Sequence, residues 1–252
     1  MDFSIAYYII LVVTGLAAGF INTLAGGGSN LTLPALMMTG MPADVANATN
    51  RVGIFLQCAV GVKSYQSHGK INTNDLIPVL IPTLVGGLVG AVLAAVLPAT
   101  LLKPMLLIAM IGVAALIVFF PSVVAPEPGT PTYQMRDRPQ AWIALFFTGI
   151  YGGFVQAGVG FLLITALAGT LRYDLIRSNA LKLICTLAFT SVALIVFIVD
   201  GLVQWAPGLA LAAGSMVGAA FAVKFSLNIS QKTMKWFLLV MTIAASAAAM
   251  FL

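Results

Sequence analysis

The sequence contains few charged residues, and this excludes a soluble globular protein. Only 8% of the 252 residues are charged and 61% are hydrophobic, whereas a soluble domain has about a quarter charged residues. The longest polar stretch covers residues 121–140, which is too short to form a soluble domain. Several apolar runs reach the roughly 20 residues that cross a bilayer as a helix. We therefore expect an all-α polytopic membrane protein.

Cysteine and histidine are also scarce, which argues against metal and thiol chemistry. Cys58 and Cys185 lie in separate apolar runs, and His68 is the single histidine. The sequence contains neither HExxH nor Gly-x-Ser-x-Gly, and its carboxylates do not cluster. We therefore expect a protein that is not an enzyme and has no cofactor or metal site.

The net charge of +5 has an explanation other than nucleic-acid binding. The basic residues lie mostly in short loops, which is the distribution that orients membrane proteins. The N-terminus lacks the basic region of a cleavable signal, so we expect the first apolar run to be retained as a span. No nucleic-acid partner is expected.

The apolar segments follow the same order twice. Each series has a long segment, a short one after a glycine-rich break, and then three long ones. The long segments are 3–25, 44–66, 76–97, 101–120, 140–158, 175–199, 204–223 and 236–252, and the short ones are 29–39 and 161–171. A segment of about 11 residues is too short for a straight span and is better interpreted as a half-helix.

Single residues repeat along with the segments, at separations of 128 to 134 positions. The matching pairs are Gly15 and Gly149, Gly19 and Gly153, Phe20 and Phe154, Asp44 and Asp174, Arg51 and Lys182, Gly86 and Gly214, and Gly90 and Gly218. One duplication with small gaps explains all of them. We predict a first repeat at 1–120, a proline-rich linker loop at 121–139 and a second repeat at 140–252, which together form one integral transport domain.

The positions of the basic residues indicate how often each repeat crosses the membrane. With five crossings per repeat, counting the short segment, nine Lys and Arg residues lie on one face and one on the other. With four crossings, the division is four to six. The positive-inside rule favours five crossings, and an odd number inverts the second repeat relative to the first. We therefore expect two inverted repeats, each of four long spans plus one short half-helix, with both termini on the non-cytoplasmic side.

The first glycine-rich break lies inside the apolar sequence GFINTLAGGGSNLTLPALMMTG. Gly26, Gly27 and Gly28 let the backbone turn and let a ligand approach closely. Ser29 and Asn30 follow, and both residue types favour the N-cap of a helix. A helix N-terminus inside the membrane presents free amides and a partial positive charge, which suits an anion. The alternative is a close glycine contact between helices.

Two basic residues lie within apolar spans at matching positions. Arg51 is seven residues beyond Asp44, about 10 Å along a helix, and Lys182 is eight residues beyond Asp174. A cation in lipid costs a few kcal/mol even on the most lenient scale. No acidic residue lies deep in a span, so helix C-terminal carbonyls, water or an anionic substrate must compensate the charge. The alternatives are snorkelling to the interface and pairing with the two aspartates, but the matching positions favour a shared anion site.

Polar residues near these features complete a candidate substrate-binding site. Taken singly, each is more often a hydrogen bond between helices than a ligand contact. The second break, QAGVGFLL, has two glycines and no polar cap, so it is the weaker of the two. The predicted site consists of Gly27, Gly28, Ser29, Asn30, Asn47, Thr49, Asn50, Arg51, Gln57, Gln156, Asn179 and Lys182.

The segments GFINTLAGGGSNLTLPALMMTGMPADVANATNRV and GFVQAGVGFLLITALAGTLRYDLIRSNALKL resemble the duplicated motif of the TauE/SafE-like sulfite exporter family. The likeness extends over nearly the whole chain and includes residues 26–28, Pro34, residues 49–51 and residues 179–182. The second half lacks the proline that usually follows the glycine break, and Thr165 stands near that place. The resemblance therefore gives the first half the larger role.

The resemblance implies a multi-pass secondary transporter of the bacterial inner membrane. Its substrate would be a small sulfur-containing oxyanion, sulfite or an organosulfonate such as sulfoacetate, moved by alternating access. Export is the expected direction, and a proton is a candidate coupling ion. The alternatives are an anion channel or an uptake permease for a related organic anion and, third, a non-transporting membrane subunit.

Overall fold

The computed structural model describes residues 5–38, 40–71, 76–98 and 130–230, together with scattered positions outside these ranges. Within the four ranges the chain forms eight α-helices, one 3-10 turn at Met135–Asp137 and no strand. The helices are α1 (Ile5–Leu24), α2 (Ser29–Met37), α3 (Ala43–Ser67), α4 (Leu76–Val96), α5 (Pro139–Phe154), α6 (Val159–Leu171), α7 (Leu175–Val199) and α8 (Trp205–Asn228). The predicted spans at 101–120 and 236–252 lie outside these continuous ranges.

The described helices follow the order long, short, long, long in both halves of the chain. The short helices are α2, with 9 residues, and α6, with 13 residues, and each follows a non-helical break. The predicted boundaries agree with the observed ones within a few residues, with two exceptions. The segment predicted at 140–158 ends as a helix at Phe154, because residues 155–158 form the second break, and the segment predicted at 204–223 continues to Asn228.

The described surface exposes large apolar side chains, as expected in lipid, and the apolar core also contains buried polar residues. Large apolar side chains such as Ile5, Val199 and Phe221 are exposed. By length and composition, α1, α4, α7 and α8 can each cross a membrane. α3 has 25 residues, but much of its N-terminal half is polar and buried, including Asn50 and Arg51. These features confirm a polytopic membrane protein.

Rows of glycine join α1 to α8 and α4 to α5. The backbones approach so closely that a Cβ atom at any of these glycines would overlap the main chain of the partner helix. The glycines are Gly15 and Gly19 on α1, Gly214 and Gly218 on α8, Gly86 and Gly90 on α4, and Gly149 and Gly153 on α5. Small residues four positions apart allow such contacts between membrane helices. A helix of the first half therefore pairs with a helix of the second half at both places.

The helices that carry Arg51 and Lys182 pack against each other. α3 contacts α7, and in addition α3 packs on α8 while α7 packs on α4. Gly61 of α3 lies against the side chain of Leu183 of α7, within a cluster that also contains Cys58. This packing places both basic residues in the interior.

Candidate functional site

The two glycine-rich breaks touch each other inside the protein. The first break separates α1 from α2, and the second separates α5 from α6. Gly26 and Gly160 pack backbone to backbone, so that a Cβ atom on either would overlap the main chain of the other. Both glycines are buried. The first break therefore packs directly against the first turn of α6, next to the second break.

At the first break, glycine and not a polar side chain begins the short helix. Gly26 has a φ angle of +91°, a conformation that residues with a side chain avoid. Gly28 is the N-cap of α2, and it has no side chain with which to cap the helix. The prediction that Ser29 and Asn30 serve as the N-cap is wrong, because both lie within the first turn of the helix. Their side chains are thereby directed to neighbouring helices.

At the second break, a glutamine has a left-handed backbone conformation. Gln156 has a φ angle of +69°, and the N-cap Gly158 has a φ angle of +72°. A left-handed non-glycine residue costs about 1–3 kcal/mol and persists only where its surroundings hold it. The side-chain Oε1 atom of Gln156 accepts hydrogen bonds from Arg51 and from the hydroxyl of Thr190. The strained residue is thus tied to the cation of the other half.

Arg51 binds the C-terminal end of α5. Its Nη1 atom donates to the carbonyl of Gly152 at 2.6 Å and to Gln156 Oε1, and its Nη2 atom donates to the carbonyl of Gly153 at 2.8 Å. Asn47, one turn earlier on α3, accepts from the same Nη2 atom at 3.5 Å. The last carbonyls of a helix have no partner within that helix. Arg51 therefore caps the helix that precedes the second break.

Lys182 makes the corresponding contact with the end of α1. Its Nζ atom donates to the carbonyls of Asn22 at 2.9 Å and Thr23 at 2.7 Å, and to Asn179 Oδ1 at 2.7 Å. α1 ends at Leu24, so these are again C-terminal carbonyls. The arrangement is crossed, because each cation binds the broken helix of the half to which it does not belong.

Helix carbonyls compensate both charges in the described structure. The exposed fraction of Arg51 is 0% and that of Lys182 is 1%, so neither side chain snorkels to the interface. Neither forms an ion pair with a described residue. A helix C-terminus carries about half a negative charge. Helix C-terminal carbonyls, one of the sources of compensation expected from the sequence, therefore contact both cations.

Hydrogen bonds also fix α2 to α3. Asn50 Nδ2 donates to Ser29 Oγ at 3.1 Å, and Thr32 Oγ1 donates to Asn50 Oδ1 at 2.7 Å. Asn47 Nδ2 donates to the carbonyl of Phe154 at 3.0 Å. Three predicted site residues, Ser29, Asn47 and Asn50, therefore hold the short helix and the end of α5 around Arg51.

Two buried amide side chains, one on α2 and one on α3, have no hydrogen-bond partner among the described residues. Asn30 is 1% exposed and Gln57 is 0% exposed, and neither the oxygen nor the nitrogen of either side chain is paired. The Nε atom of Arg51 is unpaired as well. A buried unsatisfied polar group costs about 1–3 kcal/mol. Such groups call for a ligand or water that supplies the missing bonds.

The position of Asn30 on α2 directs it toward the second break. Leu33, one turn further along the same face, packs in a cluster with Val155 and Phe197. The Phe197 ring lies 5.6 Å from the guanidinium carbon of Arg51. Asn30 therefore lies one helical turn before a residue that packs in the same cluster as Val155 of the second break.

Thr49, another residue of the predicted site, contacts the start of α8. Its hydroxyl accepts a hydrogen bond at 3.0 Å from the backbone nitrogen of Gln204, the N-cap of α8. The remaining predicted positions, Gly27 and Gly28, form the first break itself. Sequence reasoning missed the residues that act through main-chain carbonyls, which are Asn22, Thr23, Gly152 and Gly153, and it missed Thr32. The one available signal was their place beside the repeated glycines.

The arrangement brings together two cations and the N-terminus of a short helix beside the breaks, which is chemistry that suits an anion. In the part of the chain that the structure describes, no three His, Cys, Asp or Glu side chains come together as metal ligands would.

Comparison with known proteins places the chain among membrane transporters. The family model described as "Sulfite exporter TauE/SafE" matches residues 11–249. The chain is 26% identical over 258 residues to "Probable membrane transporter protein" of Haemophilus influenzae, covering 98% of this chain and 96% of the relative. It is 27% identical over 246 residues to "Probable membrane transporter protein YfcA" of Escherichia coli K12, with coverages of 96% and 89%. It is 25% identical over 236 residues to "Probable membrane transporter protein ORF9" of Sinorhizobium sp, with coverages of 93% and 88%.

The family match extends over both breaks, both buried cations and all eight described helices apart from the first residues of α1. It agrees with the resemblance drawn from the duplicated motif. This multi-pass membrane transporter belongs to the sulfite exporter TauE/SafE family.

Proposed function

We propose that this protein is a secondary transporter that moves a small sulfur-containing oxyanion, such as sulfite or sulfoacetate, across the bacterial inner membrane. Export by alternating access is the proposed mode. The observation that carries the proposal is the pair of buried cations, Arg51 and Lys182, in an interior where the amides of Asn30 and Gln57 are also buried and unpaired among the described residues. A buried positive region with unused donors suits an oxyanion better than a cation or an apolar solute.

The proposed architecture is two inverted repeats, 1–120 and 140–252, joined by the linker at 121–139. The recurring helix order and the reciprocal pairing of α1 with α8 and α4 with α5 support it. Secondary transporters with inverted repeats bind substrate where their broken helices meet. The basic loops are then cytoplasmic, and both termini are on the opposite side.

Within the site, the residues have two roles. Asn30, Gln57 and the backbone at Gly27 and Gly28 donate hydrogen bonds to the oxygens of the substrate. Arg51 and Lys182 supply positive potential, while Ser29, Asn47, Asn50, Gln156 and Asn179 position them. An oxyanion accepts from several donors at once, which satisfies amides that are otherwise unpaired.

The crossed contacts provide a route from binding to movement. An anion near Arg51 competes with the carbonyls of Gly152 and Gly153 for the same guanidinium donors. If the guanidinium turns to the anion, the end of α5 loses its cap, and the contact between the halves at this point weakens. Lys182 and α1 form the corresponding contact. A substrate that replaces the helix carbonyls as the partner of these cations favours one orientation of the halves over the other.

The test combines substrate-dependent stabilisation with flux. Purified protein is screened by thermal shift against sulfite, sulfoacetate, taurine, thiosulfate, sulfate and carboxylates, and the stabilising anion is then followed in proteoliposomes. We expect Asn30→Ala and Gln57→Ala each to lower apparent affinity by roughly tenfold or more, as for the loss of a hydrogen bond to a charged group. Asn228→Ala is the matched control, since Asn228 is exposed at the end of α8.

Four outcomes would contradict the proposal. Absence of stabilisation by any sulfur oxyanion removes the substrate class, and unchanged affinity in both amide variants removes the site. Anion current that does not saturate and shows no counterflow indicates a channel. Uptake into cells, with no efflux, reverses the proposed direction.

A further inference from the structure

A second group of basic residues lies far from the breaks, where the linker meets the turn between α6 and α7. The backbone nitrogen of Tyr133 donates to the carbonyl of Leu171, the last residue of α6, at 2.9 Å. Trp142 Nε1 donates to the carbonyl of Met135 at 3.3 Å, and Met135 itself is buried. The end of the linker is therefore fixed against the helices and does not hang freely.

Two arginines share one aromatic ring in this region. The guanidinium carbon of Arg138 lies 3.8 Å from the centre of the Tyr133 ring, and that of Arg172 lies 5.0 Å from it. Arg172 also adopts a left-handed backbone conformation, with a φ angle of +56°. Tyr133 thus gathers two like charges from parts of the chain that are distant in sequence.

Within the described residues, no carboxylate forms an ion pair with Arg138 or Arg172. The nearby Asp174 is the N-cap of α7, where its side chain accepts from the backbone nitrogen of Arg177 at 2.9 Å. Like charges held together without a counter-ion form a favourable site for an external anion. Paired guanidinium groups are especially suited to phosphate oxygens, which they can bind in a bidentate manner.

The location of Arg138 and Arg172 favours one kind of anion. α7, which is long and apolar enough to cross a membrane, begins next to this turn, so we expect the arginines near the level of the lipid headgroups. Trp142 is 38% exposed, and Ile143 and Phe147 on the following turns of α5 are exposed apolar residues. An aromatic residue beside basic residues and an apolar helix face is typical of the lipid interface.

We propose that Arg138 and Arg172, arranged around Tyr133, form a binding site for the phosphate of an anionic phospholipid headgroup. The acyl chains of this lipid lie along the exposed apolar face of α5. The bound lipid connects the linker to the α6–α7 turn. This site is separate from the proposed transport site and does not depend on the transported anion.

The test uses the full-length protein in neutral detergent, titrated with phosphatidylglycerol or phosphatidylcholine of the same acyl chains. Binding is measured by native mass spectrometry and by thermal shift. We expect phosphatidylglycerol to bind and stabilise the protein more strongly than phosphatidylcholine. In the double variant Arg138→Gln/Arg172→Gln, we expect the apparent affinity for phosphatidylglycerol to fall by roughly tenfold or more.

Two further variants separate a defined site from general surface charge. Lys63→Gln/Lys70→Gln removes the same charge from the exposed end of α3 and the loop that follows it, and should leave phosphatidylglycerol binding unchanged. Tyr133→Leu keeps every charge but removes the ring that gathers the arginines, and should lower the affinity several-fold. It also serves as the deciding variant if the double arginine variant does not fold.

Each opposing result overturns the proposal. Equal binding of the two lipids excludes a site for an anionic headgroup. An equal loss in the lysine control shows attraction by net charge alone. Competition by inorganic phosphate at millimolar concentration, together with no preference between the lipids, assigns the arginines to a soluble anion.

Discussion

Arg51 and Lys182 show how a membrane protein can bury a cation without a carboxylate. Both are almost completely buried, and both donate to carbonyls at the C-terminus of a broken helix. A helix interrupted inside the protein leaves several carbonyls without partners, and these would be costly in lipid. The cation and the helix end therefore satisfy each other, which stabilises the break and the charge together.

Removal of the Arg51 side-chain charge should destabilise the protein. Arg51→Met leaves the carbonyls of Gly152 and Gly153 without donors, and each hydrogen bond to a charged group contributes about 1.5–3 kcal/mol. We expect a lower thermal midpoint and a loss of transport. Arg136→Met is the control, since the Arg136 side chain is 79% exposed and its ion pair lies at the surface. Equal midpoints for the two variants would show that the Arg51 contacts do not hold α5.

The contact between the breaks should be intolerant of a single methyl group. In Gly26→Ala the new Cβ atom meets the main chain at Gly160, and the φ angle of +91° adds backbone strain. We expect a loss of folded protein in size-exclusion chromatography. Gly69→Ala is the control because Gly69 has a φ angle of +65° but nothing within 4 Å of the added atom, so only about 1–3 kcal/mol of strain applies. Similar behaviour of both variants would assign the effect to backbone conformation alone.

At the scale of elements, the glycine rows determine which helices form pairs. Lipid tails are as apolar as leucine side chains, so apolar surface alone does not favour one helix pairing over another. Close backbone approach along α1 and α8, and along α4 and α5, supplies van der Waals contact that only small residues permit. The positions of the glycines therefore determine which helices form pairs.

A bulky residue in a glycine row should separate one helix pair. Gly218→Val places methyl groups against the α1 main chain at Leu16, and overpacking of this kind costs about 1–3 kcal/mol. We expect a lower thermal midpoint. The neighbouring Val217→Ala changes an exposed position by a comparable volume and should have little effect. A larger effect at position 217 than at position 218 would contradict the observed pairing.

Short helix α2 illustrates a partly predictable element. Its position and length follow from the glycine-rich break and the short apolar run, and Pro34 lies inside it without ending it. Its start at Gly28 was not predicted, because Ser and Asn are better caps in general. Here Ser29 instead bonds to Asn50 of α3, a contact that is visible only once the helices are packed.

At the scale of the whole molecule, the two halves exchange contacts in a reciprocal way. α1 pairs with α8 and α4 pairs with α5, while Arg51 and Lys182 each reach into the opposite half. Such an arrangement connects the halves at both breaks at once. Gly26 of the first break also packs against Gly160 in the first turn of α6, directly after the second break.

The proposed inverted topology makes a prediction about sidedness. A thiol introduced by His68→Cys in the α3–α4 loop should react with an impermeant maleimide only from the cytoplasmic side. A thiol introduced by Asp200→Cys in the α7–α8 loop should react only from the opposite side. Both positions are exposed, and the natural Cys58 and Cys185 are buried, so the background is low. Reaction of both thiols from the same side would exclude an inverted repeat.

The sequence by itself determined the membrane class, the position of the described helices, the two breaks and the two basic residues within spans. These follow from local properties, since hydropathy over about 20 residues identifies spans, and glycine and proline mark breaks. The buried charges were visible for the same reason, because a basic residue within an apolar run is conspicuous.

Only the tertiary structure decided what those charges contact. The partners of Arg51 are carbonyls 101 and 102 positions away, and those of Lys182 are 159 and 160 positions away. A main-chain carbonyl is present at every residue, so no side-chain pattern distinguishes the one that will accept. The choice depends on which helix ends the packing brings to the centre. For the same reason the unpaired amides of Asn30 and Gln57 became apparent only when every neighbour was in place.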